Sequence, residues 1–454
     1  MNKKVEFLGI ELTGKNLLIG FQHIFAMIGA TILVPILTNM SIAMALITAG
    51  IGTIAFHYIS GQKVPVFLGS SFAFLGALMA NIPSADVAVA GSPVWQEAMG
   101  AVSVAIMIAG LIYVGLSFIT KAVGADKIKK LFPPIVVGPV IMVIGLGLAP
   151  VALGNVGAGA DFGTWVTFLV TAATIIVCSI VSFKGKAGGF IKIIPILIGI
   201  IVGYICAAIF GLVDFSGLSN DASGWVVFQG MELDKTIVGF AGNLRFEWGV
   251  ILAISPLAIV TFMEHLGDIN ANGAIVGKNF FEDPGVHKTL LGDGVATFTA
   301  GLLGGPCNTT YGENTAVLAL TKNYNPKLLL LSGIMAVILG VFTKFGALLG
   351  TVPWAVIGGA SMILYGMIAA AGLRTMVDAK INFSDTKNML IVSLILVIGL
   401  GLPGDAVAIG GVGVSPLAVA TLVGIILNVI LPEKKESFIA PKGSAGSEIN
   451  KEEK

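Results

Sequence analysis

Glu264, Asp268 and Asn272 recur at four-residue intervals inside VTFMEHLGDINAN (260–272), so a helix would carry all three side chains on one face. Groups in that register can hydrogen-bond a single polar solute, and the two carboxylates can also carry a proton. The run before them, WGVILAISPLAI (248–259), is apolar enough to sit in a membrane. A carboxylate in the hydrocarbon layer costs about 2.5–3.5 kcal/mol, so the stripe must line a cavity, a partner helix or a permeation path. The plainer alternative is a structural pair satisfied by backbone N–H groups. His265 lies about 100° round the helix from Glu264 and reads as a packing or hydrogen-bonding histidine. No other His or Cys completes a metal ligand set with E-H-x-x-D. No metal, cofactor or catalytic group is therefore expected, and the chain is not read as an enzyme.

The elements that hold this stripe are set by composition. Of 454 residues, 56% are hydrophobic and only 11% charged, with a mean hydropathy of +0.96. A water-soluble chain carries about 25% charged residues, so this one reads as an all-α polytopic membrane protein. A net charge of +1 gives no signal for nucleic acid. Cys178, Cys206 and Cys307 are far apart and read as packing residues. The first sixteen residues lack the apolar core of a cleaved signal peptide.

Apolar runs suited to spanning number about fourteen: 17–37, 42–60, 68–80, 97–120, 131–150, 164–183, 191–213, 248–274, 291–304, 311–322, 327–349, 352–377, 388–403 and 413–431. With both ends in the cytoplasm, all 26 Lys and Arg except Lys235, Arg245 and Lys344 fall on the inner side. That asymmetry fits the positive-inside rule. The expected organisation is a cytoplasmic N-terminus (1–16), a first seven-segment repeat (17–213), an outer loop (214–247), a second repeat (248–431) and a disordered cytoplasmic tail (432–454).

Runs 68–80 and 311–322 are too short to cross as helices. Both VPVFLGSSFAFLGALMA (64–80) and GGPCNTTYGENTAVLAL (304–320) hold a proline, a small polar patch and an aromatic ahead of a short apolar helix. They fall third and tenth, the same place in each half. Paired interruptions of this kind point to an inverted repeat with its binding site near the midplane. Each half-helix would begin with free N–H groups and a positive dipole end, facing carbonyl oxygens or an anion.

Other polar residues carry weaker signals. Glu313, after Tyr311 and Gly312, either faces the site or stabilises a helix start. Asp293, in LLGDGVATFTAG, reads as interfacial or functional. Gln22 and His23 open the first helix, and Ser70, Ser71 and Asn308 can satisfy freed backbone groups. His57 is expected near an interface and His287 in a loop. Trp95, Trp165, Trp225, Trp248 and Trp354 are placed toward the outer side as an aromatic belt.

The motifs FQHIFAMIGATILVPIL, VPVFLGSSFAF, EHLGDINAN, FFEDPGVHKTLLGDGVATF and, most specifically, NTTYGENTAVLALT resemble the nucleobase–ascorbate transporter family, and within it the bacterial uracil:proton symporters. The resemblance covers residues 17–431. It implies fourteen segments in two inverted repeats of seven, with short β-strands in the interrupted third and tenth. A core (segments 1–4 and 8–11) would move against a gate (5–7 and 12–14), in a homodimer.

By the same resemblance, the substrate meets the side chains of Glu264 and Glu313 and the backbone amides of Phe72 and Gly312. Tyr311, Ala30 and Ser71 complete its surroundings, and Tyr365 approaches from the gate. Proton coupling falls to Glu264, Asp268, His265, Asp293 and Tyr365. The implied activity is uracil import with protons across the bacterial cytoplasmic membrane, with the proton gradient as energy source. The implied partners are the nucleobase, protons, lipid and a second copy.

Asp268 departs from the pattern: uracil symporters carry a histidine there. Purine-type members often have aspartate at that position, but with glutamine where this chain has Glu313. A xanthine or purine symporter is thus the first alternative. A sulfate-type anion transporter shares the plan but gains little from two acids. An intramembrane enzyme using Glu264, His265 and Asp268 lacks a nucleophile or metal motif.

Overall fold

Small polar residues ahead of apolar runs set where the helices start. In the computed structural model, Thr13, Ser41, Ser92, Asp161, Asn325, Asp385 and Ser415 each accept a first-turn backbone N–H through the side chain. Proline follows at the first helical position in 92–93, 325–326 and 415–416, where its missing N–H costs nothing. The structure describes residues 13–124, 133–154, 159–181, 194–215, 242–403 and 415–432, with a few shorter pieces between and before them. Most of the expected 214–247 loop, Trp225 and the 433–454 tail lie outside the described residues.

In chain order the helices of the first half are α1 (Gly14–Thr38), α2 (Ile42–Ile59), α3 (Leu75–Asn81), α4 (Pro93–Val123), α5 (Pro134–Gly147), α6 (Ala149–Gly154), α7 (Phe162–Ile180) and α8 (Pro195–Ile209). The second half holds α9 (Trp248–Ile254), α10 (Leu257–Val276), α11 (Val286–Leu303), α12 (Gly312–Thr321) and α13 (Pro326–Val341). It continues with α14 (Thr343–Gly350), α15 (Trp354–Asp378), α16 (Thr386–Gly401) and α17 (Pro416–Ile430). Seven helical stretches among the described residues are long and apolar enough to cross a membrane: 16–38, 42–59, 93–123, 134–154, 162–180, 248–276 and 354–378. The molecule is thus a mostly helical, polytopic membrane protein.

The helices pack in two groups. In one, α4 lies along α11, α2 along both α11 and α13, α1 along α13, and α10 beside α12. In the other, α15 packs on α5 and α7, α8 on α7, and α16 on α5 and α17. Glycine permits the closest crossings. A Cβ at Gly110 of α4 would stand 2.5 Å from the Phe298 nitrogen of α11, and one at Gly372 of α15 would stand 2.4 Å from the Gly138 carbonyl of α5.

Several boundaries differ from the sequence reading. The 248–274 run is broken at Ser255 and Pro256, because proline cannot supply the helical N–H. The ninth run begins at Val286 rather than 291, so His287 sits in the first turn of α11 and not in a loop. Asp293 is accordingly well inside α11 and fully buried, not interfacial. Trp165, Trp248 and Trp354 are exposed. Trp95 is not part of any belt: it is 1% exposed, and its indole N–H donates to the Asn39 carbonyl at 2.8 Å. His57 is buried rather than near a surface, with Nε2 2.9 Å from the Val66 carbonyl.

Candidate functional site

The two interrupted segments meet at the centre of the first helix group. Leu68–Ser70 (β3) and Asn308–Thr310 (β4) pair antiparallel, Leu68 opposite Thr310, Gly69 opposite Thr309 and Ser70 opposite Asn308. (β1 and β2 are Glu6–Phe7 and Ile10–Glu11.) The ladder continues past both ends through Ser71 N–H to the Cys307 carbonyl (2.9 Å) and Tyr311 N–H to the Phe67 carbonyl (3.0 Å). Non-helical backbone inside a membrane must be satisfied by protein, and here the two breaks satisfy each other. Side chains complete the work: Thr53 Oγ1 accepts from Leu68 N–H at 3.0 Å, and Asn308 Nδ2 donates to the Thr48 carbonyl at 3.0 Å.

Each strand runs directly into a half-helix. Ser71 leads into a 3-10 turn, Phe72–Phe74, and then α3; Tyr311 leads into α12. Neither start has a side-chain cap, so first-turn amides at Phe72 and Gly312 remain as donors. Gly69 lets the strands close on Tyr311: a Cβ there would stand 2.5 Å from the tyrosine ring and 2.7 Å from Thr31 Oγ1. The Tyr311 hydroxyl donates to the Ser70 carbonyl at 2.7 Å and accepts from Thr31 at 3.3 Å. Tyr311 is 5% exposed, and its neighbours from the sequence reading, Ala30 and Ser71, are 1% and 2%.

The acidic stripe of α10 faces these half-helix starts. Glu264, Asp268, Glu313 and Phe72 are half-buried, and Gly312 is exposed, although all belong to the interior of the helix group. That pattern marks a recess rather than filled core. Around Gly312 the nearest foreign atom to a built Cβ would be Asp268 Oδ1, at 3.8 Å. Glu264, Asp268, Asp293 and Glu313 lie close enough for their charges to interact. Among the described residues none of these carboxylates pairs with a lysine or arginine; the ion pairs there are Lys63–Asp283, Arg245 with Glu97 and Glu247, Arg374–Asp378 and the histidine contact of Asp293. Three carboxylates without a cationic partner, Glu264, Asp268 and Glu313, cannot all stay charged in a low-dielectric interior, so the cluster must hold protons or share them with a ligand. Asn272, the third member of the stripe, is fully buried and ties the approach to β3 to α12, donating to the Pro65 carbonyl (2.9 Å) and Thr315 Oγ1 (3.3 Å).

Behind the recess lies a second polar layer. His265 Nδ1 is 2.8 Å from Asp293 Oδ2 and 2.9 Å from Thr310 Oγ1, while Nε2 is 2.9 Å from Thr289 Oγ1. Thr310 donates to the same Asp293 oxygen at 3.1 Å. His265 is therefore a hydrogen-bonding histidine that fastens α10 to α11 and β4. His23 is likewise buried, bridged to Asn314 of α12 through its carbonyl (2.9 Å) and Nδ1 (3.3 Å). Sequence spacing gave no sign of that bridge, because its partners are separated by 291 positions. From the second helix group, Tyr365 of α15 meets the Phe72 ring edge-on, with centroids 5.9 Å apart. A separate hollow of about 430 Å³ at the C-terminal end of α10, lined by Ile269, Asn270, Gly273 and Lys278 among others, contains none of these acids.

Residues 14–406 match a family model described as a permease family. The chain is 40% identical to the uracil permease of Bacillus caldolyticus over 96% of its own length and 97% of that protein's. It is 35% identical to the uracil permease of Escherichia coli K12, covering 91% of this chain and 90% of that one. In three dimensions it resembles the transmembrane domain of a cyanobacterial bicarbonate transporter, BicA, with a TM-score of 0.59 at 17% identity, over 94% of this chain and 99% of the other. It also resembles SLC26A9, with a TM-score of 0.65 at 12% identity, over 91% and 64%. At those identities the structural likeness speaks for the fold alone.

Proposed function

The chain belongs to the nucleobase–ascorbate transporter family of permeases, and on that premise we propose that it imports uracil together with protons across the bacterial cytoplasmic membrane. The relatives are transporters, not enzymes. The observation that carries the reading is Glu264 of α10 facing the start of α12, where Glu313 sits beside the uncapped amide of Gly312, with the uncapped start at Phe72 on the other interrupted segment. Uracil is a flat ring with two N–H donors and two carbonyl acceptors. Each carboxylate accepts one N–H, and the amides donate to the carbonyls. A charge-assisted bond in such a site is worth about 1.5–3 kcal/mol. An analogue lacking one N–H leaves a buried carboxylate unpaired and is rejected.

In this reading the chain forms fourteen spans in two inverted repeats, with both termini cytoplasmic, and works as a homodimer that needs no cofactor. The first helix group is the core and the second the gate, which rocks past it to open the recess to either side. Glu264 and Asp268 share a proton taken from outside. Neutralising the stripe makes loading of the base tolerable, and release inside resets it. Uptake of labelled uracil into proteoliposomes, with and without an inward proton gradient, tests this directly. Accumulation is expected only with the gradient, and equal uptake without it removes the coupling. Asp268 favours a second reading, a purine or xanthine symporter; competition by unlabelled xanthine but not by unlabelled uracil selects it.

A further inference from the structure

Along α10 the two ends of the recess differ. In the first half of the helix, Val260 and Met263 are each 1% exposed and share an apolar cluster with Val140 of α5 and Ala420 of α17, so the two helix groups touch there. In the second half, Gly267, Ala271 and Ala274 continue the same side of the helix, yet all three are exposed. Gly312, Ala316 and Ala319 of α12 are exposed too. The gap between the groups therefore opens toward the end that carries Lys278 and Lys322, the cytoplasmic one by the positive-inside rule. At the opposite end the chain passes from the first group to the second: α14 packs on α2 and α13, and residues 351–353 join it to α15. Tyr204 reaches this joint from α8. Its helix is fixed to the second group, since a Cβ at the adjacent Gly203 would stand 2.0 Å from Thr171 Oγ1 of α7 and 3.2 Å from Val356 Cγ1 of α15. The Tyr204 hydroxyl is 2.7 Å from Thr351 Oγ1. Thr351 donates its own proton to the Leu348 carbonyl of α14 at 2.7 Å, so the tyrosine is the donor. One hydrogen bond thus ties α8 of the second group to the end of α14 on the first.

We propose that the bond from Tyr204 to Thr351 is an outer latch, made while the recess opens to the cytoplasm and broken when the helix groups part on the outside. Rocking the second group away from the first at that end carries α8 away from α14, and the two oxygens separate. The Tyr204 ring is held edge-on to Phe215, with centroids 6.5 Å apart, so the hydroxyl is aimed at the joint and the bond re-forms when the groups close. The latch biases the resting protein toward the cytoplasm-facing form without touching the substrate. This rests on the alternating-access reading given above.

The test uses the full-length protein in sealed membrane vesicles of known orientation, with the three native cysteines replaced, and a membrane-impermeant maleimide. Val260→Cys reports opening to the outside and Ala271→Cys opening to the cytoplasm. Tyr204→Phe keeps the ring and removes only the donor, whereas Thr351→Val removes the acceptor. Each should raise the rate at which Val260→Cys is labelled from outside by about fivefold, the worth of one net hydrogen bond. The double variant should do no more than either single one, because both remove the same bond, and Thr351→Ser should restore the slow rate. Unchanged labelling of Val260→Cys in both single variants, or effects that multiply in the double variant, would overturn the latch. An Ala271→Cys protein with Tyr204 and Thr351 intact that is not labelled from the cytoplasmic side overturns instead the alternating-access reading beneath it, and the two failures are told apart by which reporter is silent.

Discussion

Glu264 and Glu313 illustrate how a residue that is costly in the fold becomes a candidate for a binding site. Neither has a cationic partner, and both keep partial exposure inside a helix group. Their stabilisation has to come from a ligand or a proton. Glu264→Gln presents an amide that can still accept a bond but no longer a charge-assisted one, whereas Glu313→Ala removes the acceptor outright. Each should weaken uracil binding by roughly 10- to 100-fold, the equivalent of about 1.5–3 kcal/mol, measured by calorimetry on purified protein. Unchanged affinity in either variant would move the site elsewhere. Asn272 belongs to the same four-residue register yet serves a different purpose, joining Pro65 to Thr315.

At the level of elements, the paired breaks depend on a glycine. A methyl group at Gly69 would meet both Tyr311 and Thr31 well inside contact distance, and overpacking of this sort costs about 1–3 kcal/mol. Gly69→Ala should therefore lower the melting temperature and uptake together, since the strand pair and the Tyr311 brace shift as one. A variant with wild-type stability and uptake would show that the closeness of β3 to Tyr311 is dispensable. A helix end outside the membrane gives a pH-dependent case. Asp161 caps α7, and its hydrogen bonds to Thr164, first to the side chain and then to the backbone N–H, hold its carboxyl below the usual aspartate range. A carboxyl depressed in the folded state adds stability above its unfolded value of about 3.9 and loses it as pH falls through the lower folded value. Thermal unfolding of wild type and Asp161→Ala should then differ at neutral pH and converge under strong acid. A constant difference down to the most acid pH would refute the cap's role.

Across the whole molecule, the proposed rocking places its moving boundary between the two helix groups. Gly29 of α1 and Ile196 of α8 meet there: a Cβ built at Gly29 lies 3.5 Å from the Ile196 Cβ. That separation is within reach of a disulfide, so Gly29→Cys with Ile196→Cys, in a background lacking the three native cysteines, should cross-link on oxidation and cut uptake at least about tenfold. Reduction should restore it. Full uptake by the cross-linked protein would mean that transport does not require this boundary to move. The fold resembles those of BicA and SLC26A9.

Composition and apolar run length determined by themselves that the chain lives in a membrane, because so few charges cannot cover a water-facing surface. The period of Glu264 and Asp268 and the matching interruptions at 64–80 and 304–320 also marked the segments that the fold brings together, since both signals are local: helical spacing in one case, a proline and small residues in the other. The length of α11 was misjudged for the same reason, as Val286–His287–Lys288–Thr289 reads as polar until its partners are known. Only the tertiary structure decided that Asp293 is a buried partner of His265 and that Trp95 is held inside by Asn39. Those contacts join positions far apart in the chain, and no spacing rule along one helix can report which distant side chain fills the space beside it.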